Sequence, residues 1–444
     1  MLAIWSRSLD IDPGWENIDF EALEEVQLLQ SYLQIDTTHQ TGSELEGALF
    51  LADLFRREDI PVELLDMGDG RANLIATLEG DDPEALILHN HLDLDPVTSP
   101  ERWIHPPFSG TIEVPWIYGR GAFDMKSVTV AQLLAMVNLK RQGIRPARTI
   151  VFLATSSEET DSELGTLWLL RNRPELFDNA WGVLTEGGVL EARGLQNIKY
   201  WGTEFAQKRY VKIIACSPDR GRLEDLLADI LERGPSTADL RLTPAVATFL
   251  ESYAASRDRR DYREFLTSPH EILLDMAKFQ TLPSYLQSLF RDDLHLFPIV
   301  ENPNGNGYQM RITLSLLEDA EPEEAMRRLL PEWMTAGVVL DTLVEPSSRS
   351  GSDLGHELFV TITETLEERY GAIRSGPYYQ GRSATDARFF RAWGVPSYGF
   401  TPFLALTTDT LAITGPNEGI ALPAYVVGVD LYKQLLERVA AGSQ

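Results

Sequence analysis

One histidine and five acidic residues sit where the chain pattern would hold side chains still. His91 and Asp93 close the apolar run that starts at Ala85, and Asp124 follows the turn Tyr118-Gly-Arg-Gly-Ala-Phe. Glu158 and Glu159 come just after the run Thr149–Thr155, and Glu186 just after Trp181–Leu184. Imidazole and carboxylate are the nitrogen and oxygen donors of a divalent cation. Two adjacent carboxylates at a strand end point in different directions. One can ligate a cation while the other stays free as a general base beside an activated water. Residues two apart on a strand share a face, so Asp93 is expected to hydrogen-bond the His91 imidazole and fix its tautomer. Taken singly, each feature also fits something plainer: a capped glycine turn, an exposed strand end, a solvated acidic turn. Taken together, their placement at the ends of elements in one domain points to a metal site.

The elements that must position these residues follow from periodicity. Leu23, Val26, Leu29 and Leu33 lie at helical spacing. A second helix is predicted from Ser43, with Glu46 completing a capping box and Leu45, Leu49, Ala52 and Phe55 as its apolar stripe. Strands are predicted over 72–78, 85–88, 149–155 and 181–184, with helices from just after Asp124 to Gly143 and over 164–170. Alternating strands and helices predict an α/β fold with a central, largely parallel sheet. From about residue 200 the texture changes. A strand over 210–215, a helix over 223–232, a polar helical stretch over 235–295, and then strand, helix and strand to 345 suggest an α+β insert of ferredoxin-like type. The predicted division is 1–200 and 346–444 for the α/β domain and 201–345 for the insert.

The chain has 444 residues, too many for one ordinary core. Its net charge is -28 with a pI of about 4.6, a surface that repels phosphate backbones and argues against nucleic acid as a partner. The single cysteine, Cys216, excludes an intrachain disulfide and a multi-thiolate zinc site. No run is long enough to span a bilayer and no basic, then apolar leader opens the chain, so the expectation is a cytoplasmic protein with no membrane partner.

The order His-x-Asp, Gly-Arg-Gly-Ala-x-Asp-Met-Lys, Glu-Glu, Glu-Gly-Gly resembles the two-zinc metallopeptidases. That family includes aminoacylase, acetylornithine deacetylase, succinyl-diaminopimelate desuccinylase and glutamate carboxypeptidase. Further matching stretches are Ile35–Thr38, Trp103–Gly110, Thr385–Arg388 and Gly394–Phe400. The resemblance implies a catalytic α/β domain interrupted by a lid that usually dimerises, and hence a homodimer. It implies that His91, Asp124 and Glu186 hold one zinc, and that Asp124 bridges to a second zinc held also by Glu159. Glu158 would be the general base, Asp93 would orient His91, and Arg388 and Asn302 would bind substrate. The implied reaction is hydrolysis of an amide bond in a small N-acyl amino acid or peptide.

The chain departs from that pattern in two places. The family's second zinc takes a histidine from a stretch like His-Gly-x-Asn-Glu, and here that stretch reads Thr414-Gly-Pro-Asn-Glu418, with no histidine after His356. The lid loop Cys216–Arg222 also lacks the histidine that stabilises an oxyanion across the family's dimer. The expectation is therefore one tightly bound zinc and a second that is weak or absent, with Asp409 a possible substitute ligand. The alternative is a non-hydrolytic binding or regulatory homologue that kept the fold.

Overall fold

A computed structural model describes residues 15–40, 42–192, 198–234, 240–255, 268–303, 305–371, 375–405 and 413–442. They form two compact units. The first comprises 1–204, 352–378 and 385–444; the second comprises 205–351 with the short return 379–384.

The strands in chain order are β1 (Val62–Gly68), β2 (Arg71–Leu78), β3 (Asp82–His91), β4 (Thr111–Glu113), β5 (Trp116–Tyr118), β6 (Arg148–Thr155), β7 (Ala180–Thr185) and β8 (Val189–Ala192). They continue as β9 (Ile198–Gln207), β10 (Arg209–Ser217), β11 (Asp293–Glu301), β12 (Tyr308–Leu316), β13 (Val339–Val344), β14 (Ser375–Gln380), β15 (Ser397–Gly399) and β16 (Gly419–Ala421). The large sheet runs β1-β2-β6-β3-β7-β15-β9-β14, with β8 on β9. It is mixed. The pairs β6·β3, β3·β7 and β7·β15 are parallel, whereas β1·β2, β2·β6, β15·β9 and β8·β9 are antiparallel. "Largely parallel" therefore holds only for the centre. β1 and β2 are joined by a tight turn, and β9 runs antiparallel to β15, so strand-helix alternation does not describe the two ends of the sheet.

Helices cover both faces. Ile87, Val151, Leu153 and Val183 of the sheet pack with Leu169, Phe177, Phe389 and Phe390 on one side. On the other, Phe55 of the helix Glu44–Arg57 meets Phe152 edge-on at 4.9 Å. That helix begins as its sequence requires, with Ser43 Oγ accepting the Glu46 N–H. Its buried stripe is Glu44, Ala48, Leu51, Ala52 and Phe55, and Leu49 is 41% exposed, one step round the helix from the expected face. The helix Lys126–Arg141 is buried nearly all round and packs against the C-terminal helix Leu422–Ala441. Gln132 locks the two to the sheet. Its Oε1 accepts from Asn90 Nδ2 at 2.9 Å, and its Nε2 donates to the His89 carbonyl at 3.1 Å and to the Tyr432 hydroxyl at 3.2 Å. No helix among the described residues is long and apolar enough to cross a membrane.

The second unit carries an antiparallel sheet of order β11-β12-β10-β13. With the helices Arg220–Arg233 and Pro322–Leu329 this is strand-helix-strand-strand-helix-strand, the ferredoxin-like arrangement. The stretch expected to be helical to residue 295 ends earlier, because β11 starts at Asp293. β11 is an edge strand without a fully buried residue, and Pro298 interrupts its apolar run Leu296–Val300, which argues against a strand in the sequence.

Candidate metal centre

The parallel strands β3, β6 and β7 end side by side, and His91, Glu158, Glu159 and Glu186 stand at or just beyond those ends. In an α/β sheet this carboxyl edge is where ligands bind. Asp124 arrives from the turn before the helix Lys126–Arg141, across a cis Asp124–Met125 peptide.

His91 is 2% exposed. Its Nδ1 lies 2.9 Å from the Asp93 carbonyl oxygen, which can only accept, so Nδ1 carries the proton and Nε2 faces the site. Nε2 is 3.3 Å from Asp124 Oδ1 and 3.7 Å from Glu186 Oε2. Ligand atoms of His91, Asp124 and Glu159 lie within 4.8 Å of one another, and so do those of His91, Glu158 and Glu186. The five side chains therefore meet around one imidazole. Asp124 and Glu186 keep 24% and 17% side-chain exposure, so the cluster opens to solvent.

Asp93 orients His91 differently from the expectation. Its carboxylate is 3.7 Å from Nδ1, and its carbonyl makes the hydrogen bond instead. The strand ends at His91, so the two-residue face rule lapses beyond it. The carboxylate is freed for other work: Oδ1 accepts the Glu158 N–H and Oδ2 the Glu159 N–H, each at 2.9 Å. One buried aspartate thus fixes the histidine and both glutamates. Behind the turn, Asn73 Oδ1 accepts the Ser156 N–H and its Nδ2 donates to the Leu164 carbonyl, both at 2.9 Å. Ser157 adopts a left-handed φ of 63°, unusual for a residue with a side chain and common where a turn presents functional groups. At the third strand end, Gly188 (φ 83°) has no room for a side chain, since a Cβ there would lie 2.4 Å from the Gly202 carbonyl oxygen.

The electrostatics show what the cluster lacks. Burial pushes Glu158 and Glu159 well above the ordinary carboxylate range, reinforced by Glu186 for the first and Asp124 for the second. Burial and Asp124 raise Glu186 to about 7. Burial alone would lower His91, but hydrogen bonds to the Asp124 and Glu186 carboxylates outweigh it and hold the imidazole well above its usual range. Asp124 is drawn down, burial being overcome by His91. Crowded carboxylates that hold on to protons are a site short of positive charge. Glu159 Oε1 is buried without a hydrogen-bond partner. One imidazole and four carboxylates suit a divalent cation, and these residues fit one.

The remaining sequence candidates are scattered. Arg388 is 4% exposed, donates from Nη1 to the Thr385 carbonyl at 2.8 Å, and its charge partly opposes the rise of Glu158. Asn302 belongs to the second unit, at the end of β11, where Nδ2 meets Cys216 Sγ at 3.8 Å. Asp409 lies outside the described residues. Thr414 stands at φ 57° with its carbonyl bound by Arg120.

A profile of peptidase family M20/M25/M40 matches residues 87–438, well over half the chain. The chain belongs to this family. Its mixed sheet and separate antiparallel sheet correspond to the M20 catalytic and lid domains, and membership places it among metallopeptidases and aminoacylase-type hydrolases. Aminoacylase-1 of Sus scrofa is 25% identical over 427 residues, 94% of this chain and 95% of that one. A probable succinyl-diaminopimelate desuccinylase of Staphylococcus aureus is 34% identical over 144 residues, which span 32% of this chain and only 35% of the relative. The M20 family metallo-carboxypeptidase Sso-CP2 of Sulfolobus solfataricus superposes with a TM-score of 0.72 at 17% identity, over 94% of this chain and 100% of that one.

Proposed function

We propose that the chain is a zinc-dependent hydrolase of the amide bond in a small N-acyl amino acid or peptide. The observation that carries this reading is the convergence of Asp124, Glu158, Glu159 and Glu186 on His91, with both glutamates hung from Asp93. His91, Asp124 and Glu186 hold the tighter zinc, and Asp124 and Glu159 are what remains of a second site. Bound zinc supplies Lewis acidity to a carbonyl and lowers the pKa of water.

Glu158 is the general base. Its carboxylate takes the proton from the attacking water as the new C–O bond forms, and returns it to the amide nitrogen as the C–N bond breaks. Its backbone N–H bond to Asp93 holds it beside the ligand cluster for both halves of that exchange. Asp93 does no proton transfer; it fixes the direction of His91, Glu158 and Glu159. Arg388 acts on Glu158 through its charge from a buried position and is assigned to the substrate carboxylate, and Asn302 is assigned a substrate contact of its own. The non-hydrolytic alternative is not favoured, because a pure binder has no use for a base held beside the ligand cluster.

Incubation with a panel of N-acyl amino acids and dipeptides tests the reading, and release of free amine from at least one is expected. An untouched panel together with cleavage of an ester or carbamate would move the substrate class. We assign a cytoplasmic location and a homodimer formed through the lid. The edge strand β13 leaves Val339, Leu343 and Val344 exposed, as a strand awaiting a partner does. Sedimentation at micromolar concentration should give a dimer, and a monomer would remove this assignment.

A further inference from the structure

Thr414 replaces the expected imidazole, yet the segment around it is held as if a ligand were still there. Arg120 and Glu418 form a buried ion pair, each side chain 1% exposed, with Nη1 2.7 Å from Oε2. Each partner then reaches further. Arg120 Nη2 donates to the Thr414 carbonyl at 2.8 Å and to the Pro96 carbonyl at 3.2 Å. Glu418 Oε1 accepts the backbone N–H groups of Phe123 at 3.0 Å and Asp124 at 3.2 Å. On its other side the segment is tied by Asn417, whose Oδ1 accepts the Ile104 N–H and whose Nδ2 donates to the Arg102 carbonyl. β16 then pairs with β5, next to the Arg120 turn.

Thr414 itself does not choose this shape. A β-branched residue at φ 57° is disfavoured by its own side chain. The surroundings must hold it, and the bond from Arg120 to its carbonyl ties the segment in place. A planar guanidinium is suited to the task, because its fork serves one carboxylate and two carbonyls in fixed directions.

We infer that Arg120 and Glu418 are positioning residues, a clamp that sets the Asp124 carboxylate and the Thr414 segment against one another and so fixes the geometry of the metal ligands. The inference rests on the metal reading above. The two fail separately: unaltered protein that retains no zinc sinks the metal reading, and the variants below sink only the clamp.

In Arg120→Met/Glu418→Gln both buried charges are removed together, so neither is stranded, and the Gln carbonyl can still accept from Phe123 and Asp124. Its melting temperature should stay within a few degrees of the unaltered protein. Zinc affinity, measured by competition with a chromophoric chelator, should fall about ten- to a hundredfold, the usual effect of losing an outer support of a ligand. A folded double variant that binds zinc as tightly as the unaltered chain would overturn the clamp. If the double variant does not fold, Arg120→Lys decides. Lysine keeps a cation for Glu418 but loses the fork to Thr414 and Pro96, so affinity should drop severalfold in a protein that melts normally. Unchanged affinity there overturns the inference as well.

Discussion

The molecule buries two groups of carboxylates and treats them in opposite ways. In the second unit, Asp292 Oδ1 accepts from Arg241 Nη2 and from the Leu317 N–H, both at 2.8 Å, and Arg328 Nη2 reaches Oδ2. Its neighbour Asp293 lies 2.7 Å from Arg291 Nε and 2.8 Å from Lys208 Nζ. Burial would raise Asp292, but Arg241, the Leu317 N–H and Arg328 outweigh it and pull its pKa below the ordinary value. In the first unit, Glu158, Glu159 and Glu186 surround a single imidazole and are pushed upward. The chain neutralises the first group with its own cations and leaves the second short. A buried acid paired within the fold is architecture, whereas buried acids that share one imidazole are a receptor for an external cation.

The largest test of this contrast is Glu158→Ala. It should lower kcat/KM about a hundred- to ten-thousandfold, the contribution of a general base, while leaving the melting temperature almost unchanged. Retained turnover would take the base assignment away from Glu158.

Asp292→Ala should do the reverse. It strands Arg241 and Arg328 and should cost about 3–5 kcal/mol of stability at pH 7 by chemical denaturation, with zinc content unaltered. The sign of its pH dependence is fixed. A carboxylate with a depressed folded-state pKa contributes fully above its unfolded pKa of about 3.9 and loses that contribution as pH falls through the folded value. The gap between unaltered and variant protein should therefore narrow at pH 3. A constant gap would mean that packing, not charge, holds Asp292.

His91→Ala removes the imidazole that both ligand groups share. Zinc that survives dialysis in the unaltered chain should be lost from this variant, with a drop in affinity greater than about a hundredfold. Atomic absorption on the dialysed protein checks it.

The smallest change is a gain. Thr414→His should raise tightly held zinc from one to two per chain, because the clamped segment already presents that position. A stoichiometry that stays at one would mean that the position does not face the second site. Two zincs in the unaltered protein would mean that another residue already completes it.

Much of the site was legible because its ligands follow the most readable elements. β3, β6 and β7 are buried apolar strands, and the acids stand where the apolar runs stop. Local pattern failed wherever a contact joined distant segments. The two hydrogen bonds that Asp93 accepts from the Glu158 and Glu159 N–H groups span 65 and 66 residues and leave no periodic trace. Asn73, which braces the same turn, sits in an ordinary strand and carries no local signal. Glu418 was visible as one letter of a motif, but its partner could not be read from it. One edge strand of each sheet was missed for a different reason. β1 mixes half-buried and exposed residues, which hydropathy scarcely separates from a loop, and β11 carries Pro298 in the middle of its apolar run.

The buried pair Arg120–Glu418 also orders events during synthesis. Its members are 298 residues apart, and Glu418 leaves the ribosome after the whole second unit has been made. A nascent chain ending near residue 350 already carries His91, Asp124, Glu158, Glu159 and Glu186, but its Arg120 has no carboxylate to meet. The N-terminal part must wait with an uncompensated cation at the base of the Asp124 turn, and closing so long a loop is slow. Metal loading at full strength therefore waits until Glu418 has been made. C-terminal truncations that keep every ligand in the sequence should emerge as poor metal binders and aggregation-prone intermediates.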